Sequence, residues 1–158
     1  MSSVSNERDR LLQQVRDGLR ELRRELARLN HRVGDRVKLR DLDLDCYDLI
    51  AQSGSITPGA LAAAAGIHPA TMTGVLDRLE RGGWIVRDRA AGDRRSVVLR
   101  PAPRSAARLV PHFQGMSDAV DASCAGYTND ELRLVVDFLA RAARAGDEAA
   151  ADLERRPA

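Results

Sequence analysis

Between Val4 and Val33 the apolar residues Leu11, Val15, Leu19, Leu22, Leu26, Leu29 and Val33 recur at alternating spacings of four and three. That rhythm predicts one long helix burying a narrow stripe against a partner helix. Arginines and glutamates from Arg16 to Arg32 cover its other faces, so its stability comes from packing rather than propensity. Gly34-Asp35 is expected to end it. A shorter helix follows, with Asp43 as N-cap, Leu44, Tyr47 and Ile50 on its apolar side, and Ser53-Gly54-Ser55 as its stop. Thr57 then caps a helix whose first residue is Pro58 and which Ala60 to Ala65 carry to Gly66. Pro69 opens the next, which runs to Arg81 and stops at Gly82-Gly83.

The last two helices have the spacing of a helix-turn-helix. Ala62 is small where two helices approach, Gly66 sits at the turn, and Met72, Val75 and Leu79 face inward from the second helix. Two short β-branched and aliphatic arms follow, Trp84-Ile85-Val86-Arg87 and Ser96-Val97-Val98-Leu99-Arg100, and they predict a hairpin. Asp88 to Arg95 between them holds no apolar residue larger than alanine, so it projects into solvent or against a partner. After Pro101 and Pro103, a stripe of Leu109, Phe113, Met116 and Val120 predicts a helix through Cys124 to about Tyr127. Thr128 and Glu131 form a capping box for a last helix with Leu132, Val135, Leu139 and Ala142 on one face, and its polar, alanine-rich end beyond Gly146 is expected to fray.

The fold class expected is mainly α with a small β-hairpin wing: a winged helix-turn-helix flanked by N- and C-terminal dimerisation helices. Residues 1–38 form the N-terminal dimerisation helix, 39–102 the winged lobe and 103–158 the C-terminal dimerisation helices. A chain of 158 residues has difficulty burying both flanking faces alone, and a twofold homodimer is the economical solution.

Composition narrows the chemistry. Aromatics make up only 3% of the chain, so the core is aliphatic and recognition by aromatic stacking loses weight. The net charge of +2 is small, and an anionic partner must be met by local clustering, which the hairpin tip supplies. Cys46 and Cys124 have no metal or redox spacing, and no signal peptide or membrane-length apolar run is visible; free thiols in a cytoplasmic protein, with no membrane partner, are expected. His31, His68 and His112 are scattered, which argues against a zinc site. No glycine-rich phosphate loop, nucleophile elbow or Cys–His pair points to an enzyme, and nothing calls for a cofactor.

The partner these features fit is double-stranded DNA. With Met72, Val75, Leu76 and Leu79 inward, the second helix of the motif presents His68, Ala70, Thr71, Thr73, Gly74, Asp77, Arg78 and Arg81. Thr71 and Thr73 suit base edges or phosphates in the major groove, and Ala70 a thymine methyl. Arg78 suits a backbone phosphate, as do the free amides at the Thr57 end of the preceding helix, and His68 faces phosphate from the helix start. In the wing, Arg89, Arg94 or Arg95 fits a neighbouring minor groove, while Asp93 pairs with one of these arginines and fixes the loop. The plainer alternative is that the threonines and arginines are simply solvated.

Leu42-Asp43-Leu44-Asp45-Cys46-Tyr47, Ala70 to Glu80 and Gly92-Asp93-Arg94-Arg95 together make the chain resemble the MarR family of winged-helix regulators over nearly its whole length. The resemblance implies a homodimer with interlocked first and last helices, a pseudo-palindromic operator, and release by a small anionic or phenolic ligand or by oxidation; a repressor is the expected form. It also implies a ligand cleft between the dimerisation helices and the DNA-binding lobe, with Cys46, Tyr47 and His112 as candidate neighbours, although by position Tyr47 and Cys46 are better read as core residues. The chain departs from the family at Gly74, where an arginine is common, and at Pro101-Ala102, where Leu-Thr is common. Two rival readings remain: a winged-helix module for protein assembly that leaves DNA unbound, and a regulator that senses oxidation through cysteine.

Overall fold

The computed structural model describes the backbone of residues 2–90 and 93–155, and all side chains among them except those of 2–5, 90, 93–96 and 154. Among the described residues, six helices and one hairpin follow in the order α1 (Ser2–Val37), α2 (Asp41–Ser53), α3 (Pro58–Ala64), α4 (Pro69–Arg81), β1 (Ile85–Ala90), β2 (Asp93–Pro101), α5 (Ser105–Cys124) and α6 (Asn129–Arg155). By internal contacts the chain forms two compact units, Met1–Phe113 and Gln114–Ala158. Among the described residues no single helix is long and apolar enough to cross a membrane.

The long first helix is present, but Gly34 does not end it. α1 continues to Val37 and closes at Lys38, which takes a left-handed φ of 60°. The Leu39 amide then donates back to the Gly34 carbonyl at 2.9 Å, the six-to-one bond of a Schellman turn. Glycine is needed at 34 for close approach instead: a Cβ there would lie 2.7 Å from the Leu39 carbonyl oxygen.

Asp43 is likewise not a cap. α2 starts two residues earlier, with Arg40 at its N-cap, and Asp43 lies inside it, buried beside Leu44, Cys46, Tyr47 and Ile50. The α3–α4 pair follows the sequence closely. Thr57 Oγ1 accepts the Ala60 amide at 3.2 Å, Gly66 takes a φ of 63°, and the two axes turn by 110°, within the helix-turn-helix range. Leu61 and Ala62 of α3 and Met72, Val75, Leu76 and Leu79 of α4 are buried in one core with α2. α4 ends in a second Schellman turn: Gly83 has a φ of 67°, and the amides of Gly83 and Trp84 donate to the carbonyls of Glu80 and Leu79 at 2.9 Å each.

The wing is longer than its apolar arms. β1 and β2 pair antiparallel from Ile85↔Pro101 to Ala90↔Asp93, so Asp88 and Arg89, expected in the loop, are strand residues opposite Val98 and Val97. Backbone pairing beyond the lobe needs no apolar side chain, which is why the arms under-read the strands. A bridge the sequence did not announce ties the hairpin to the lobe: Ile56 and Leu99 exchange both backbone hydrogen bonds, at 3.1 and 2.8 Å. Trp84, read as the first residue of an arm, lies before the strand and is core. Its ring meets Tyr47 edge-on, with centroids 5.6 Å apart, and the Arg108 guanidinium lies 3.6 Å from its centroid.

α5 starts at Ser105, which is buried and anchored to the preceding turn and to α2. Its amide and hydroxyl both reach the Ala102 carbonyl, at 3.0 and 2.7 Å, and Tyr47 Oη lies 2.8 Å from its Oγ. α5 stops at Cys124 rather than Tyr127. In the second unit the capping box forms as read: Thr128 donates from its amide and hydroxyl to Glu131 Oε2, and Thr128 Oγ1 accepts the Glu131 amide. These bonds hold the Glu131 carboxyl below its ordinary value. α6 runs on through Gly146 to Arg155, so among the described residues the helix continues where fraying was expected; residues 156–158 lie outside them.

Candidate nucleic-acid interface

The outward side of α4 carries Ala70, Thr71 and Thr73, all exposed, ahead of half-buried Gly74. His68 stands at the N-cap of α4, where its Nδ1 accepts the Ala70 amide at 3.2 Å, leaving Nε2 as the ring's other hydrogen-bonding edge. Thr71 and Thr73 thus begin a helix with a capped, fixed first turn, and Thr73 Oγ1 leans back to the Pro69 carbonyl at 3.4 Å. Thr57 is exposed, with its side-chain oxygen occupied by the α3 amide.

Arg78 differs from its expected place at a phosphate. Its Nε and Nη2 donate to Asp43 Oδ2 and Oδ1 at 2.8 and 2.6 Å, a bidentate pair between α4 and α2. The Asp43 side chain is only 2% exposed and that of Arg78 30%. The pair keeps Arg78 firmly protonated, through its hydrogen bond to Asp43 first, and satisfies a carboxylate that burial would otherwise penalise. Gly74 lies beneath it, and a Cβ there would stand 3.4 Å from Arg78 Nη1. The sequence did hold a signal for Asp43: positions 43, 46, 47 and 50 share one face of α2, so Asp43 falls in phase with the core.

In the wing, Arg89 is exposed on β1. The side chains of Asp93, Arg94 and Arg95 lie outside the described residues, as does Gly92. Asp88 faces Arg100 across the strands at 3.7 Å, and Arg87 turns back to α4, where Nη2 meets Asp77 at 2.6 Å and Nε meets Glu80 at 2.9 Å. Neither Arg87 nor its acids stood out by spacing, because strand and helix meet only in the fold.

The residues expected near a ligand cleft have different surroundings. Cys46 and Tyr47 are core residues, 0% and 2% exposed, and the Tyr47 hydroxyl is committed to Ser105. Desolvation first, then the Asp43 and Asp45 charges, push the Cys46 thiol up to about 11, which favours its protonated form. His112 alone borders an open hollow, about 540 Å³, lined with it by Pro111 of α5 and by Leu29, Arg32, Val33, Asp35 and Arg36 of α1. Among the described residues no group of His, Cys, Asp and Glu is arranged to hold a metal.

Known proteins share both sequence and shape. The family model described as MarR family matches residues 44–97. The uncharacterised HTH-type transcriptional regulator YcgE of Bacillus subtilis is 33% identical over 113 residues, covering 72% of this chain and 71% of that protein. The crystal structure of NadR in complex with 4-hydroxyphenylacetate is similar with a TM-score of 0.62 and 25% identity, over 82% of this chain and 92% of NadR. A crystal structure of MarR is similar with a TM-score of 0.58 and 22% identity, over 85% of this chain and 98% of MarR, a likeness of fold.

Proposed function

The chain belongs to the MarR family of winged-helix, DNA-binding transcriptional regulators, and from that premise we propose a homodimeric repressor that binds a pseudo-palindromic operator. The observation that carries this reading is the outward face of α4, where Ala70, Thr71 and Thr73 stand exposed over a sealed core, with the wing bonded to the same lobe through Ile56. α4 enters the major groove and reads bases through the two threonines and the methyl of Ala70. The ends of α3 and α4 at Thr57 and His68 face phosphates. Arg89, Arg94 and Arg95 reach the minor groove, with Asp93 steadying the tip. Gly74 takes the place of a base-reading arginine, and Arg78 gives its fork to Asp43, so the wing carries a larger share of recognition.

The dimer follows from the apolar residues left open on the single chain, among them Leu11, Val15, Leu22 and Leu26 of α1 and Leu134, Val135 and Leu139 of α6. NadR has been crystallised with 4-hydroxyphenylacetate, and the hollow beside His112 supports an anionic effector of that class here, because Arg32 and Arg36 outnumber the one carboxylate, Asp35, in its lining. A cysteine sensor at Cys46 is disfavoured by its burial and its protonated thiol.

Gel-shift titration against genomic fragments over a salt series tests the reading. Affinity is expected to fall steeply with salt, because several phosphates per protomer are neutralised. Arg95→Ala should weaken operator binding by about 1–3 kcal/mol while the dimer persists. A protein-assembly module without DNA binding would instead show no salt-sensitive complex.

A further inference from the structure

Asp77 and Glu80 stand four and seven residues beyond Thr73, so the three share one stripe of α4, and all three are exposed. The stripe begins at the face proposed to enter DNA and continues into two carboxylates. Negative charge there repels the phosphate backbone, and the repulsion is strongest where the duplex displaces water. Arg87 of β1 meets both acids at once, Nη2 with Asp77 Oδ1 at 2.6 Å and Nε with Glu80 Oε2 at 2.9 Å. The three side chains are 34–50% exposed, and ion pairs at such sites add little to folding. Their value therefore lies in what approaches this face.

We propose that Arg87 is a positioning residue that serves as the built-in counter-ion of α4: it grips Asp77 and Glu80, cancels part of their charge where DNA approaches, and spends its donors on them rather than on phosphate. This divides the wing arginines by role. Arg87 works inward on the helix, while Arg89 stands exposed two residues further along the same strand. The inference rests on the DNA-binding reading above.

The test measures binding of the full chain to a mixed-sequence duplex by fluorescence anisotropy at fixed salt, with thermal unfolding of each variant to verify folding. Arg87→Gln is expected to weaken binding about tenfold, the scale of one uncompensated like-charge contact. Adding Asp77→Asn and Glu80→Gln to that variant should restore affinity to within about threefold of the parent, since the repulsion is then gone. The acid pair substituted alone, with Arg87 kept, should bind at least as tightly as the parent. A triple variant as weak as Arg87→Gln shows that Arg87 acts on DNA itself and overturns the inference while leaving the regulator reading intact. An acid double variant weaker than the parent overturns it too. A parent chain that binds no duplex at any salt overturns the regulator reading, and this inference with it.

Discussion

Asp43 and Arg78 make a pair whose members are unequally replaceable. Asp43 is sealed in the lobe, whereas nearly a third of the Arg78 side chain meets solvent. Removing Arg78 strands a buried carboxylate, while removing Asp43 leaves a guanidinium that can turn to water. Arg78→Ala is therefore expected to cost about 3 kcal/mol in urea unfolding, and Asp43→Ala distinctly less. On the same helix, burial first and the Asp45 charge second raise the Asp48 carboxyl above its ordinary value. The folded chain then binds more protons at this site than the unfolded one, so its contribution to stability falls as pH rises through the raised value. Asp48→Asn should stabilise the fold at neutral pH by less than about 1 kcal/mol, since the group is only half-buried, with Tm rising accordingly, and the gain should vanish below the ordinary carboxyl range.

Two glycines inside helices show how position within an element decides the effect of one methyl group. A Cβ at Gly34 would press the Leu39 backbone oxygen at 2.7 Å, while one at Gly74 would meet only the end of Arg78 at 3.4 Å. Gly34→Ala is expected to destabilise by about 1–3 kcal/mol because the α1–α2 turn must open. Gly74→Ala is expected to stabilise by up to about 1 kcal/mol through helix propensity, and chemical denaturation of the two variants gives opposite signs. The same contrast explains what was legible in the sequence. The helix-turn-helix could be read residue by residue, because Thr57, Pro58, Gly66, Pro69 and Gly82-Gly83 each act within a turn of themselves. The end of α1, the role of Asp43 and the partners of Arg87 could not, because each depends on a group far along the chain: Leu39 folding back, Arg78 on α4, and acids on another element. Local rules therefore mistook a close-approach glycine for a stop and a buried ion-pair acid for a cap. At the site, the threonines and the α4 core positions were legible by periodicity, whereas the commitment of Arg78 to Asp43 was not.

At the scale of the whole molecule, the apolar residues exposed on α1, α5 and α6 set the terms. Val110 at 55% and Leu134 at 65% exposed are poor companions for water, and they explain why the single chain is read as half of an assembly. Thermal unfolding should depend on protein concentration, Tm rising as the chain is concentrated, because association stabilises only the folded form. A concentration-independent Tm with a monomer mass by light scattering would contradict the dimer. The joint around Trp84 adds a practical property. It is the chain's one tryptophan, 2% exposed, with Tyr47 at its edge and the Arg108 cation over its face. Its indole joins residues from α2 and α5 at the root of the wing, so its fluorescence is an intrinsic gauge of that junction: a blue-shifted emission while the ring stays dry and covered, and a changed colour or intensity whenever its packing against Tyr47 or Arg108 changes.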